Sequence, residues 1–208
     1  MLTTKPIRTS KTLIRVLPFI GALFLVGFSP AFATTNLVVN GNFAEPGTGC
    51  HAGTTDVPGW TVVSGNVDFE STACSGLNSK NGEVYFLDLT GSFAPAENDV
   101  GTISQTIKTV EGQKYTLSFY FGGNPQWQTL PYPNDSPLKA MVVYVDGSIS
   151  GVYSVLTTGS IYSEWSYKKI TFVAKTTSTT ITFESLNGSK SNPSDFGPLL
   201  SNVALEAT

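Results

Sequence analysis

The chain has 208 residues, 12 Lys+Arg against 15 Asp+Glu, one histidine and two cysteines. Its net charge of −3 argues against a nucleic-acid partner, which calls for a basic surface rich in arginine. The same sign disfavours an anionic membrane surface.

The first element in chain order is a leader. Lys5, Arg8, Lys11 and Arg15 precede the apolar run VLPFIGALFLVGF (Val16 to Phe28), and SPAFA then places Ala31 and Ala33 where a signal peptidase reads small residues. The run holds 13 residues, short of the roughly 18 that a spanning helix needs. We read residues 1–33 as a signal peptide cleaved after Ala33, and 34–208 as one secreted domain with no membrane span. Cleavage removes both arginines and two lysines, which leaves 8 lysines against 15 acids and a net charge of −7. The expected location is extracellular, with the periplasm as the alternative. In such an oxidising compartment Cys50 and Cys74 are expected to form one disulfide. Its loop of about 25 residues would stabilise the fold by roughly 3 kcal/mol.

Beyond the leader, helical periodicity is almost absent and alternation with period two is everywhere. In chain order the strand signals are NLVVN, GWTVVSG, NVDFE, EVYFLDL, GTISQTI, KYTLSFYF, KAMVVYVDG, GVYSVLT, KKITFVA and TTITFES. KYTLSFYF points Tyr115, Leu117, Phe119 and Phe121 one way; TTITFES does the same with Ile181 and Phe183, leaving Glu184 on the solvent side. VDGS is a hairpin signal, and TTSTT (Thr176 to Thr180) reads as a hairpin connection. Roughly ten short strands at close spacing predict an all-β sandwich or barrel. Trp60 reads as a core or staple residue and Trp165 as packing at the start of its strand.

Residues 122–137, GGNPQWQTLPYPNDSP, interrupt the alternation. Prolines 125, 131, 133 and 137 stiffen this loop and lower the entropy lost when it binds. A sugar has apolar C–H faces and a hydroxyl rim, so it suits aromatic rings beside amides and carboxylates. Trp127 and Tyr132 supply rings; Gln126, Gln128, Asn134 and Asp135 supply polar groups. The alternative is that Trp127 folds back as a lid on the sandwich end. Tyr85, between Val84 and Phe86, faces a cleft or sits at the rim.

Several pieces together resemble a known group: NLVVNGNFAEPG, VPGWTVVSGNVDF, YFLDLTG, TISQTIKTVEGQKYTLSFYFGGNP, WSYKKITFVAKTTSTTITFESLN and GPLLSNVAL. In this order they resemble the secreted choice-of-anchor C family, which overlaps the domain of unknown function 642 family. The resemblance implies a galactose-binding-like jelly roll, exported and associated with polysaccharide or cell-wall material, without an assigned reaction. Members often end in a sorting tail; here the chain stops at SNVALEAT, so a soluble protein is expected. The family's usual acid before Asn-Val is replaced by Ser201. The loop after GNP is also longer than the family's.

The resemblance further implies one structural calcium where the first and last strands meet. Asn42, Glu45 and Asn202 are the candidate ligands, although Asn40 and Asn42 serve equally well as turn formers beside Gly41. Catalysis finds little support. His51 is the lone histidine, in a Gly-rich stretch beside Cys50, and there is no GxSxG elbow. A carboxylate pair from Glu164 and Glu184 would suit glycoside hydrolysis, yet surface acids are the common case. The expected function is therefore non-catalytic binding of a polysaccharide or glycan by a monomer. A structural or adhesive surface protein that binds protein or itself is the alternative.

Overall fold

The structure is a computed structural model. It describes residues 35–208 except 46, 48, 80, 81, 83, 93–99, 129–135, 159–161, 164 and 189–195, with the backbone alone at 78, 79, 127, 128, 162 and 163. Contacts divide the chain into Met1–Ala33, outside the described residues, and Thr34–Thr208, which is the subject below.

Period-two alternation builds two antiparallel sheets of six strands that face each other as a jelly-roll sandwich. The first runs, in spatial order, β1 (His51–Thr54), β4 (Val67–Ser71), β6 (Tyr85–Asp88), β14 (Pro198–Ala207), β8 (Lys114–Gly123) and β12 (Ser166–Val173). The second runs β10 (Ser148–Leu156), β9 (Leu138–Val145), β13 (Ser178–Ser185), β7 (Thr102–Lys108), β3 (Trp60–Ser64) and β2 (Asp56–Val57). A parallel pair, β5 (Asn78–Ser79) with β11 (Tyr162–Ser163), lies apart from both, as do a one-turn helix α1 (Thr72–Ser75) and a 3-10 turn (Pro125–Gln128).

The core fills the space between the sheets. Leu117, Phe119 and Phe121 from one sheet meet Ile103, Val143, Ile181 and Phe183 from the other, all fully buried. Phe119 meets Phe183 edge-on, with ring centres 5.2 Å apart, the arrangement that ring quadrupoles favour. Trp60 is buried in this core, and its Nε1 donates to the Asn40 carbonyl. Trp165 is buried ahead of β12 in a smaller cluster with Leu77, Phe86 and Leu199 on the opposite face of the first sheet. Asp146 and Gly147 both hold positive φ, 49° and 72°, as the two-residue β9–β10 hairpin requires.

Two strand readings are corrected. NLVVN is not a strand, because side-chain amides take its backbone groups. Gln105 bonds both N and O of Val39, Asn36 Oδ1 accepts from Val38 N and Leu205 N, and Asn40, at φ 48°, turns the chain. TTSTT is not a hairpin connection either. It leads from β12 in one sheet to β13 in the other, and its last two threonines belong to β13.

Candidate binding site

A bulge shapes the rim of the first sheet. In β14 the register slips between Ser201 and Ala204, and Asn202 takes φ 48°, a conformation that asparagine tolerates better than most residues. The bulge buries Ser201, whose hydroxyl donates to the Tyr85 carbonyl at 2.8 Å, and leaves Asn202 exposed. Gly41 allows the leading segment to lie against this bulge: Val203 N donates to Gly41 O at 2.8 Å, and a Cβ at Gly41 would strike the Val203 carbonyl. That segment is held in its bend by the Asn40 amide, which bonds Glu45 N, Glu45 O and Pro58 O.

The result is a cleft of about 260 Å³ lined by Asn42, Ala44, Gly82, Val84, Tyr85 and Asn202. No charged side chain is among these. Tyr85 is half-buried; its ring stacks on Phe69 with centres 6.0 Å apart, and its hydroxyl donates to Gly47 O. Asn40, Phe43 and Asn202 hold positive φ around it, and for a buried phenylalanine this conformation is unusual. A second cleft of about 250 Å³ is lined by His51, Thr54, Asp56, Pro58 and Phe69. His51 sits on β1, exposed, with its ring 5.8 Å from that of Phe69. The disulfide Cys50–Cys74 ties the start of β1 to α1, with Cα atoms 5.9 Å apart.

The other face of the same strands carries acids. Asp68 on β4 lies opposite Asp88 on β6, and Glu70 opposite Phe86. Asp88 is fully buried and accepts from Gly197 N, Thr90 N and Asn124 Nδ2. Asp68 accepts from Gly53 N, Ser92 N and the Ser92 hydroxyl. Burial first, then the neighbouring Asp88 and Asp68 carboxylates, push the Glu70 carboxyl up to about 8. Asp88 is raised by burial and by Asp68, against the pull of its three donors. The cluster ties the residues around positions 53, 90, 124 and 197 to one face. Sequence reading missed it, since alternation places these acids outward, where solvent is expected.

Of the loop residues singled out above, Tyr132, Asn134 and Asp135 lie outside the described residues, as do the side chains of Trp127 and Gln128 in the 3-10 turn. Gln126 is half-buried and donates to Ser75 O at 2.8 Å, a structural tie. Glu164 is outside the described residues. Glu184 accepts from the Tyr144 hydroxyl at 2.9 Å in the second sheet. Tyr85, expected at a cleft or rim, shares its cleft with Asn42 and Asn202, which were assigned to a metal.

Calcium takes six to eight hard oxygens, with carboxylates prominent among them. Here Glu45 does not line the cleft, and its backbone groups are bonded to Asn40. Two neutral amides remain, and among the described residues no three His, Cys, Asp or Glu side chains gather as a metal site. These residues do not fit the ion.

The fold is shared with known proteins. The structure of TmCBM61 in complex with β-1,4-galactotriose superposes with a TM-score of 0.51 at 20% identity, covering 84% of this chain and 99% of that one. A family 35 carbohydrate binding module from Clostridium thermocellum gives 0.43 at 12% identity, covering 76% and 98%. An arabinose-bound α-L-arabinofuranosidase, MgGH51, gives 0.47 at 14% identity, over 83% of this chain and 26% of that one. No curated protein matches the sequence. Of the two overlapping groups that the sequence resembles, one is matched over residues 36–206, and the chain belongs to that family, described as protein of unknown function (DUF642).

Proposed function

We propose that residues 34–208 form a secreted, non-catalytic carbohydrate-binding protein, released by cleavage of the leader 1–33, and that the cleft at Tyr85 takes a neutral sugar. One observation carries this reading: a half-buried ring and two amides, Asn42 and Asn202, line a cleft that is held by backbone bonds and has no charged side chain among its described residues. An apolar wall with a few placed polar groups is what sugar rings and hydroxyls require. The conformations of Asn40, Phe43 and Asn202 pre-organise the wall, so little entropy is lost on binding. The jelly-roll fold shared with TmCBM61 supports the reading at the level of architecture.

Affinity electrophoresis of the mature protein against β-glucans, galactans and pectins tests it. Retardation by a neutral polysaccharide is expected, weakened about tenfold in Asn202→Gly, which keeps the backbone conformation and removes the amide. Trp127→Ala, run alongside, tells whether the 122–137 loop contributes to the same binding. No retardation on any polysaccharide defeats the function; retardation unchanged in Asn202→Gly and Tyr85→Phe/Ala variants defeats the site.

A second reading, self-association at a surface matrix, draws on β10. This edge strand carries no charge, and Ile149, Val152 and Leu156 are 67%, 61% and 63% exposed. An uncharged edge is a template for another strand. Light scattering that shows mass growing with concentration supports this reading; a constant monomer mass removes it.

A further inference from the structure

We infer that the second cleft is an adjoining subsite of the same surface, so that the protein takes a short neutral oligosaccharide, and that Asp56 there excludes chains of uronic acid. The inference rests on the proposed reading of the Tyr85 cleft. Three neighbouring strands, β1, β4 and β6, carry His51, Phe69 and Tyr85 in one aromatic row, with successive centres 5.8 and 6.0 Å apart. Phe69, almost wholly buried, floors the second cleft and backs the ring that walls the first. The two openings therefore lie at the two ends of a rigid row, close enough for one short oligosaccharide to reach both.

Size points the same way. Ligand sites in proteins generally run from about 300 to 1,000 Å³. At about 260 and about 250 Å³ each cleft falls below that range. Each suits one sugar ring, and an oligosaccharide uses both.

The clefts differ in charge. Among the described residues the Tyr85 cleft has no ionisable group apart from the phenol, while the second holds Asp56 and His51. Asp56 is exposed, and its backbone is pinned by Thr54, whose hydroxyl accepts from Asp56 N at 3.0 Å and donates to Asp56 O at 3.2 Å. A carboxylate so placed accepts hydroxyl donors from a neutral sugar and repels a sugar carboxylate. Among the described residues the lining has no lysine to offset it. His51 lines the same cleft, on a strand whose start is anchored by the disulfide.

Calorimetry on the mature protein tests this with galactose, glucose and xylose, their β-1,4-linked trisaccharides, and trigalacturonate. One neutral trisaccharide is expected to bind at least about tenfold tighter than its monosaccharide, the gain of filling a linked second site. His51→Ala should lose that gain and keep the monosaccharide affinity, which also reports that the variant is folded. Asp56→Asn, which keeps one acceptor oxygen and loses the charge, should bind the neutral trisaccharide more weakly and acquire binding of trigalacturonate, absent in the parent. Monosaccharide binding without a gain for any trisaccharide, or a gain that survives His51→Ala, overturns the second subsite alone. Trigalacturonate binding by the parent overturns the role of Asp56. No binding of any of these sugars overturns the inference together with the reading beneath it.

Discussion

The two faces of β4 and β6 are built from alternate residues of the same short segments, yet they are chemically opposite. One face sends Phe69 and Tyr85 to a rim where the open clefts offer rings and amides. The other sends Asp68 and Asp88 under covering segments, where they accept from backbone and amide donors, with Glu70 beside them, its carboxyl held protonated up to about 8 by burial and by these two neighbours. The difference teaches that polarity along a strand does not by itself assign a function. Asp68 and Asp88, which as residue types suggest chemistry, act here as ties; the rim is where we propose that a ligand fits.

That contrast can be broken most sharply at Asp88. Asp88→Ala leaves Gly197 N, Thr90 N and Asn124 Nδ2 without their buried acceptor. A loss of about 4 kcal/mol in chemical denaturation is expected, because each orphaned donor costs about 1–3 kcal/mol. A loss under about 1 kcal/mol would mean that the acids hold nothing and deserve renewed scrutiny as a site.

A smaller effect should appear with pH. Glu70 and Asp88 hold their protons more tightly in the fold than at their ordinary values of 4.5 and 3.8. Folding therefore takes up protons, and the stability this contributes is complete below pH 4 and is lost as pH rises through about 8. The melting temperature should fall by several degrees from pH 5 to pH 8.5. The absence of a fall over that window would place charged, well-paired carboxylates on this face instead, since their stability change lies below about pH 5. Smallest of all, Glu70→Gln should flatten that slope by about half while leaving sugar affinity unchanged, since Glu70 belongs to the face away from the clefts.

Much of the fold was legible before any coordinates. Phe119, Phe121, Ile181 and Phe183 alternate with polar neighbours because a strand in a sandwich has one buried side. Asp146-Gly147 announced its hairpin because few residues accept two successive positive φ angles. NLVVN misled because its alternation is real but side chains take its backbone groups: Asn36, within the run, accepts from Val38 N, and Gln105, far off in sequence, bonds both N and O of Val39. At the site, Asn42 and Asn202 were legible together, as expected calcium ligands, but their company with Tyr85 was not.

What the chain by itself determined was the period of its strands, the face each apolar side chain takes, the pairing of its two cysteines and the sign of its surface charge. These are local properties or counts, and they follow from sterics and composition. Tertiary structure alone decided that Asn202 should be lifted out by a bulge, that Tyr85 should meet it across 116 residues through Ser201, and that outward-pointing acids should be covered. Such outcomes depend on which segments fold over which face, and no local pattern of residues encodes that choice.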